Sequence, residues 1–373
     1  MSIDWTKSMQ QTYEYYEVDP HTWQNKRKLT MFTSSSIERD TGADTLGSAS
    51  FDVTENLGEC YVRTYLVANQ NVSEYKVPVG TYLVSTPGES FDGKVHTYSL
   101  DGYSPLKELK ETQPPLGYTI QKGTEILSTA YKLTREHVRA TVVEPNSGGG
   151  DNDKIQTNFV ANDNDTWFTF LTDLLATENY HFAINPLGEI MFEPYQDIAS
   201  LQPRFTYDDD NSSILLPSIS IDRDIYSIPN VIEVIYSYKN GNLYSRMSNR
   251  DDNSPISVQN RGREIVQRIT NPQLPGTSDQ HYVDQYCMNQ LKSISALSYQ
   301  VKYEHGYNET NIRDCVRLNY KRSGLNGVKV MVMSQSVKCS TGCTVSETSV
   351  YTENLCGLIR NDYSGEEVKN ESI

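Results

Sequence analysis

Three of the six cysteines lie near the end of the sequence and are the first candidates for metal chemistry. Cys339, Cys343 and Cys356 could supply thiolates to zinc, which usually takes four Cys or His ligands. No histidine lies near them in the sequence, and their spacing matches known zinc sites only loosely. Since disulfides are rare in reducing, cytosol-like compartments, we predict free thiols and no bound metal.

Carboxylate pairs are the second candidates, because the chain has 48 acidic residues. Glu178 and Glu189 could act as acid and base in a glycosidase, an enzyme class without an obligatory short motif. The acidic run Asp208, Asp209 and Asp210 lacks the spaced oxygen ligands of a calcium loop. With so many acids any single pair is a weak signal, so glycan cleavage is only an alternative prediction.

Histidine chemistry and nucleotide binding find little support in the sequence. His137 lies near a predicted helix end and His181 begins a predicted strand, where a lone histidine is more often structural than catalytic. The glycines at 148–150 are not followed by the Gly-Lys-Ser/Thr of a phosphate-binding loop, and serine-hydrolase and zinc-protease motifs are absent. We predict that the chain is not an enzyme and uses no cofactor.

The elements that must position these residues are mainly strands. Alternating runs rich in β-branched residues, separated by turn residues, predict antiparallel strands between residues 28 and 100. The runs are Leu29-Thr-Met-Phe-Thr, Gly47-Ser-Ala-Ser-Phe-Asp-Val, Tyr61-Val-Arg-Thr-Tyr-Leu-Val and Gly80-Thr-Tyr-Leu-Val-Ser.

A polar, glycine-containing segment, residues 34–46, separates the first two runs and is long for a hairpin connection. Long loops of this kind commonly contact a partner. We predict that this loop lies at a subunit boundary. Its candidate contact residues are Ser34, Ser35, Ser36, Ile37, Glu38, Arg39, Asp40, Thr41 and Asp44.

Helices and one hairpin are predicted in the middle of the chain. Ser104 and Pro105 suit the start of one short helix, and Thr124 suits the start of a second. A strand is expected at residues 139–143, and the turn sequence Asn185-Pro-Leu-Gly joins two further strands. Asp165 is expected to cap the strongest helix, whose apolar stripe is Trp167, Phe170, Leu171, Leu174 and Leu175.

The last third of the chain returns to strands and contains one helix. The helix, at about 278–298, follows a capping box that begins at Thr277, and Asn240-Gly suits a hairpin turn. Its apolar stripe is Val283, Tyr286, Cys287, Leu291 and Ile294. The predicted strands are residues 214–221, 230–238, 316–320, 327–332 and 342–348.

Composition excludes several function classes. The formal charge of −15, from 33 basic and 48 acidic residues, disfavours tight binding to nucleic acid or anionic lipid. No stretch approaches the ~20 apolar residues of a membrane span, and the start of the sequence lacks a basic segment followed by an apolar run. The 26 tyrosines against 9 phenylalanines suit half-buried strands and wet interfaces.

In the order of these elements, the chain resembles the hub proteins at the distal end of phage tails and related contractile injection machines. The resemblance rests on the three runs that begin at Gly47, Tyr61 and Gly80, on Tyr98-Ser-Leu-Asp-Gly-Tyr-Ser-Pro-Leu, on residues 167–195, and on Gly327-Val-Lys-Val-Met-Val-Met-Ser. It implies a mainly β fold with an α+β insert: two tail-tube-like antiparallel β-barrels plus a small helix-hairpin module. The implied domains are residues 1–111, 112–203 and 204–373.

The resemblance also implies a role. Such a hub is a homotrimer that adapts a six-fold tail tube to a three-fold tip and lines the DNA exit channel. The implied partners are copies of itself, a tail-tube or distal tail protein, a central spike or fibre protein and the tape measure protein, with DNA only in transit and no membrane binding by this chain alone. The implied location is the virion tail, after assembly in the host cytoplasm. The alternatives are a glycan-binding or glycan-cleaving tail-tip protein, or another multi-domain assembly protein.

The negative charge suggests where some acids would lie in such a ring. A channel that passes DNA should repel phosphate, and at physiological salt only charges within about 8 Å act strongly. Plain solubility would explain the same net charge. We expect some of these acids to face the lumen: Asp40, Asp44, Glu55, Glu59, Asp208, Asp209 and Asp210.

Overall fold

The computed structural model describes residues 3–144, 154–155, 158–222, 225–226, 228–238, 241–272, 279–354 and 358–366. The chain forms two compact units. The first comprises Met1–Ile219 with Lys302–Ser349, and the second Ser220–Val301 with Val350–Ile373. The predicted glycine loop, the Asn240 turn, the Thr277 cap and Cys356 lie outside the described residues.

Strands dominate the described residues. They are β1 (Gln10–Val18), β2 (Asn25–Leu29), β3 (Phe32–Asp40), β4 (Gly47–Val53), β5 (Cys60–Gln70), β6 (Ser73–Phe91), β7 (His96–Tyr103), β8 (Thr119–Ile120), β9 (Phe159–Val160), β10 (Tyr180–Ile184), β11 (Ile190–Pro194), β12 (Phe205–Asp208), β13 (Leu215–Asp222), β14 (Val231–Tyr238), β15 (Gly241–Asn249), β16 (Val266–Thr270), β17 (Ala296–Gly306), β18 (Cys315–Tyr320), β19 (Leu325–Lys338), β20 (Thr344–Asn354) and β21 (Ile359–Glu366). The helices are α1 (Lys107–Glu111), α2 (Ile126–His137), α3 (Trp167–Ala176), α4 (Val258–Arg261) and α5 (Gln280–Ser295), and a 3₁₀ helix spans Lys321–Ser323.

The first seven strands surround one apolar core. β1 pairs with β2 and β5, β5 with β6, β6 with β7, β7 with β4, and β4 with β3, all antiparallel. Only Thr30 and Met31 separate β2 from β3. Phe51, Val62 and Leu66, on alternate positions of their strands, are fully buried in this core. The pairings therefore run around the core and leave one break, between β2 and β3.

β3 also joins these strands to the last third of the chain. Its second edge pairs with β19, where Asp40 lies opposite Ser334 and Ser36 opposite Lys338. The sheet continues from β19 through β20, β17 and β13, while β18 pairs with β19 and carries β12 as a parallel neighbour. The result is one sheet of 13 strands.

The module between β7 and β12 is built as the sequence predicts, with a shifted cap. The apolar stripe of α3 is buried, and Leu171 and Phe170 lie in a core shared with α2 and the β10–β11 hairpin. The cap of α3 is Thr166, because its hydroxyl accepts from the Thr169 backbone at 3.2 Å while Thr169 reciprocates. Asp165 instead accepts a hydrogen bond from the Asn162 backbone at 2.7 Å, so its predicted cap role is wrong.

Two smaller predictions in this module are also wrong. The N-cap position of α2 is Glu125, and no described side chain caps the helix, so the predicted cap at Thr124 is wrong. Residues 139–143 form one isolated bridge, between Val142 and Ile190, instead of a strand. The reason is that Arg139 is tied to α1: its backbone and side chain both donate hydrogen bonds to Glu108.

The second unit is a four-stranded sheet with a helix on one face. β14 pairs with β15 and, in parallel, with β16, and β15 pairs with β21. α5 packs Val283, Cys287 and Leu291 against Ile232 and Val234 of β14. The predicted helix and its apolar stripe are confirmed.

The mainly β class is confirmed. The two closed barrels and the domain boundaries at residues 111 and 203 stay predictions, since the described pairings leave the break between β2 and β3 open. Among the described residues, no helix is both long and apolar enough to cross a membrane.

Candidate functional site

The predicted contact loop is largely a strand. Residues 34–40 belong to β3, which pairs with β4 on one edge and β19 on the other. The polar sequence hid an alternation in which Ser35, Ile37 and Arg39 point inward and are at most 8% exposed. The prediction of a loop over these residues is therefore wrong, and the actual connection is the turn at residues 41–46.

The remaining contact candidates lie at the surface. Glu38 accepts a hydrogen bond from Ser336 at 2.6 Å, and Asp44 forms an ion pair with Lys110. Their contact with a partner stays a prediction. The exposed candidates are Ser34, Glu38, Asp40 and Asp44, and Ser36 and Thr41 are half-buried.

A cleft of about 520 Å³ opens in the first unit beside the β10–β11 hairpin. A smaller cavity of about 260 Å³ shares three of its residues, Glu193, Arg313 and Asp314. The larger volume lies within the ~300–1,000 Å³ typical of small-molecule sites. The residues that line it are Thr41, His181, Glu193, Pro194, Tyr195, Gln196, Leu201, Arg313, Asp314, Met331 and Met333.

The hairpin that carries half of this cleft is anchored by its turn. The carbonyl of Leu187 accepts hydrogen bonds from the Trp23 indole and the Arg63 guanidinium, both at 2.9 Å. Thr81 donates to the Pro186 carbonyl at 3.2 Å. Arg63 is only 4% exposed. Its guanidinium donates its hydrogen bonds to neutral oxygen acceptors inside the protein instead of to water.

Gly188 completes the turn, as predicted. Its φ of +74° is a left-handed conformation that favours glycine. A Cβ at this position would lie 2.7 Å from Cβ of Thr81, so the close contact also requires glycine.

His181 is the most unusual group in the cleft. It is 8% exposed, and neither ring nitrogen has a hydrogen-bond partner within the described protein. Burial, with Arg313 nearby, lowers the pKa of His181 to about 4, so the ring is neutral at pH 7. The ring of Tyr195 lies beside it, with 4.6 Å between centroids. Glu193 is its directly opposed neighbour on β11.

Two basic and two acidic side chains line the cleft and its adjoining cavity. Arg313 donates to the Phe182 carbonyl at 3.1 Å, and burial lowers its pKa. Arg204 pairs with Asp314 at 3.3 Å, although burial still raises the pKa of Asp314. Perturbed ionisable groups around one cavity are typical of binding sites.

A second polar cluster, beneath β17, β19 and β20, is closed to solvent. Glu347 and His305 are fully buried, with 3.2 Å between Oε1 and Nε2. Tyr303 donates to the other carboxylate oxygen at 2.6 Å, and Gln335 donates to Oε1. Burial alone would raise the pKa of Glu347, but His305 and these hydrogen bonds hold that pKa below its usual value. Both oxygens are paired, which indicates a structural role.

Arg39 extends this cluster to the first strands. Its guanidinium donates to Gln335 at 2.7 Å and to the Val79 carbonyl. On the other side, Asn308 donates to the Tyr207 hydroxyl at 2.9 Å. Arg39 is therefore an internal link, and its predicted contact with a partner is not compatible with this burial.

The predicted carboxylate pair is not a catalytic pair. Glu178 and Glu189 lie near opposite ends of the hairpin, where Asn179 meets Tyr195 and Asn185 meets Glu189. At ~3.3 Å per residue these ends are roughly 20 Å apart, whereas glycosidase carboxylates are at most ~9.5 Å apart. Glu189 accepts a hydrogen bond from Asn185 at 2.7 Å and so stabilises the turn.

The other chemical candidates have structural surroundings. His137 stacks on Trp167 with 4.2 Å between ring centroids. Burial raises the pKa of Cys339 to about 11 and that of Cys343 to about 12, so both thiols are protonated at pH 7. In the part of the chain that the structure describes, no group of three or more His, Cys, Asp or Glu residues is arranged to hold a metal.

Sequence reasoning missed most of both clusters. Arg313 and Asp314 follow β17 in a loop without any motif, so no local signal marks them. The buried cluster did leave a signal in the sequence. Side chains two or four positions apart on a strand lie on the same face, so His305 lies on the face of Val301, and Glu347 on that of Val345. Both valines face inward. A charged residue at an inward position predicts a buried pair.

No protein-family model matches the sequence, and no curated protein matches it either. Solved structures are more informative. The tail protein from Neisseria meningitidis MC58 matches with a TM-score of 0.61 and 11% identity, over 92% of this chain and 97% of that one. The 43 kDa tail protein of prophage MuSo2 from Shewanella oneidensis matches with a TM-score of 0.60 and 10% identity, over 92% of this chain and 98% of that one. This chain has the fold of phage tail proteins.

A chain of the Francisella PdpA–VgrG complex shares the tail-protein fold in part. It matches 98% of this chain with a TM-score of 0.55 and 10% identity, but only 60% of its own length is covered. The predicted resemblance is thus confirmed for the fold.

Proposed function

We propose that this chain is a structural tail protein, three copies of which form a ring that joins a six-fold tail tube to a three-fold tip. The likeness to tail proteins over nearly the whole length of both chains carries the proposal. The proposed partners are copies of itself, a tail-tube or distal tail protein, a central spike or fibre protein and the tape measure protein. The proposed location is the virion tail, after assembly in the host cytoplasm.

The turn at residues 41–46 and the exposed side of β3 are the proposed subunit contact. Asp40 and Asp44 present carboxylates there, and a lasting interface should bury at least ~1,000 Å². Light scattering at micromolar concentration should give the mass of a trimer, and imaging of assembled tails should show three-fold particles. Monomers in both measurements would contradict the proposal.

Three of the seven acids expected at the lumen are already paired within the chain. Asp44 pairs with Lys110, Glu59 with Arg139 at 3.5 Å, and Asp209 with Arg322. Exposed acids without an ion pair among the described residues are better candidates, and they are Asp40, Glu55 and Asp210. We propose that these acids face the channel. A basic or neutral lumen, or tight binding of duplex DNA by the ring, would contradict this assignment.

We also propose that the chain cleaves no glycan. The separation of Glu178 from Glu189 supports this. Incubation with peptidoglycan and host surface glycan should release no defined fragments. Fragment release that Glu178→Gln abolishes would contradict the proposal.

A further inference from the structure

The cleft beside the β10–β11 hairpin contains hydrogen-bonding groups that a structural role does not use. His181 is more than nine-tenths buried, and neither of its ring nitrogens has a partner among the described residues. A buried donor or acceptor without a partner destabilises the folded chain. A ligand that completed these hydrogen bonds would therefore be bound favourably here.

The charges around the cleft select against an ionic ligand. Arg313 and Glu193 line the cleft with opposite charges, and Asp314 is paired at 3.3 Å with Arg204 of the adjoining cavity. Since these charges offset one another, the wall offers neither an anion nor a cation a net opposite charge. The neutral imidazole of His181 adds one donor and one acceptor. The wall thus offers both donors and acceptors, which suits a neutral ligand that carries both.

The rest of the wall is apolar and partly aromatic. Tyr195 is 63% exposed, although its ring lies against the buried His181. Met331 and Met333 supply flexible, polarisable side chains that adapt to a ligand's shape. Pro194 lacks a backbone N–H on the hairpin edge, which disfavours an extended peptide added as a strand.

We propose that this cleft binds a neutral polyhydroxylated ligand, with the chemistry of a sugar unit of a surface glycan. Each hydroxyl both donates and accepts, so it matches His181, Glu193 and Arg313 at once. Tyr195 stacks on the apolar face of the sugar ring. The cleft thus gives the chain a recognition function that requires neither catalysis nor ring formation.

The test uses the full chain and three immobilised probe classes: neutral oligosaccharides of hexose and N-acetylhexosamine, their uronic acid counterparts, and short peptides. We expect binding to at least one neutral oligosaccharide. Tyr195→Ala and Glu193→Gln should each weaken it at least tenfold, with unchanged thermal unfolding. Tyr226→Ala, which removes a 79% exposed tyrosine of the second unit, is the matched control and should bind like the wild type.

Three outcomes would overturn the proposal. One is the absence of binding to any neutral oligosaccharide. A second is a preference for the uronic acid or peptide probes, which would assign the cleft to an anion or to a partner protein. The third is neutral-sugar binding that survives both Tyr195→Ala and Glu193→Gln, which would place the sugar elsewhere on the chain.

Discussion

The first unit contains two interiors of opposite chemistry. Around α2 and α3 the buried side chains are aromatic and aliphatic, with Phe170 and Leu171 at the centre. Beneath β17 and β20 the centre is a carboxylate, Glu347, surrounded by His305, Tyr303 and Gln335. The apolar interior is stabilised because folding removes apolar surface from water. The polar interior is stabilised only when every polar group in it has a hydrogen-bond partner. The first tolerates changes of shape, whereas the second depends on every partner.

The two buried histidines show the same contrast. His305 is fully buried and contacts Glu347, Tyr207 and the Gly306 carbonyl. His181 is 8% exposed and has no hydrogen-bond partner in the described protein. The histidine of the polar interior thus has its polar contacts within the chain, while the histidine beside the hairpin leaves two ring nitrogens for a ligand.

Loss of His305 should have the largest effect. His305→Ala leaves the Glu347 carboxylate buried without the ring nitrogen that lies 3.2 Å from its Oε1, which should lower the free energy of unfolding by roughly 3–5 kcal/mol. The double variant His305→Leu with Glu347→Leu should be clearly more stable than the single one, because no buried charge remains. Urea unfolding measures both. Additive losses in the double variant would show that the two residues do not act as a pair.

The apolar interior should respond to volume instead. Leu171→Ala should cost roughly 2–5 kcal/mol, because it leaves a cavity at a fully buried position. Leu171→Met, with nearly the same volume, should cost less than ~1.5 kcal/mol. Urea unfolding of the two variants compares them directly. A Met variant as unstable as the Ala variant would mean that this interior is no more tolerant than the polar one.

His181 should make stability depend on pH. Its pKa is lowered from 6.5 to about 4 in the folded chain, so the unfolded chain binds the proton more tightly. The stability that the neutral ring contributes is complete above about pH 6.5 and falls as the pH drops toward 4, by roughly 2 kcal/mol at pH 5. His181→Gln should flatten this dependence between pH 7 and pH 5. Equal slopes for the two proteins would refute the assignment.

A substitution in the hairpin turn should have the smallest effect on stability. Gly188→Ala should cost roughly 1–3 kcal/mol, since it adds a contact with Thr81 to the strain of a positive φ. Gly324→Ala is the matched control: its φ is +85°, and nothing lies within 4 Å of the added Cβ. It should cost only the backbone strain, ~1 kcal/mol. Thermal unfolding of the two variants compares their losses of stability. Equal losses would mean that Thr81 moves aside at little cost when the Cβ is added at position 188.

The sequence predicts the apolar interior better than the polar one. The stripe of α3 and the Asn185 to Gly188 turn follow from local periodicity and turn chemistry, and both are confirmed. β3 does not, because Ser34, Ser35 and Ser36 are indistinguishable from a surface loop in the sequence, and the strand's second edge is covered only by pairing with distant β19, from Ser36 to Asp40. The cleft was equally hidden, since its lining comes from segments far apart in the chain, and the sequence marks only Thr41 and His181 of that lining as candidates.

The pairing of β3 with β19 has a consequence for synthesis of the chain. Arg39 and its partner Gln335 are separated by 296 positions. At ~5–20 residues per second, a ribosome needs roughly 15–60 s to make the stretch between them. Throughout that time the nascent chain presents an open strand edge with Ile37 on it, a template for pairing with a neighbouring nascent chain. Premature termination anywhere before residue 325 would leave that edge uncovered permanently, so synthesis of β19 decides whether the first strands stay soluble.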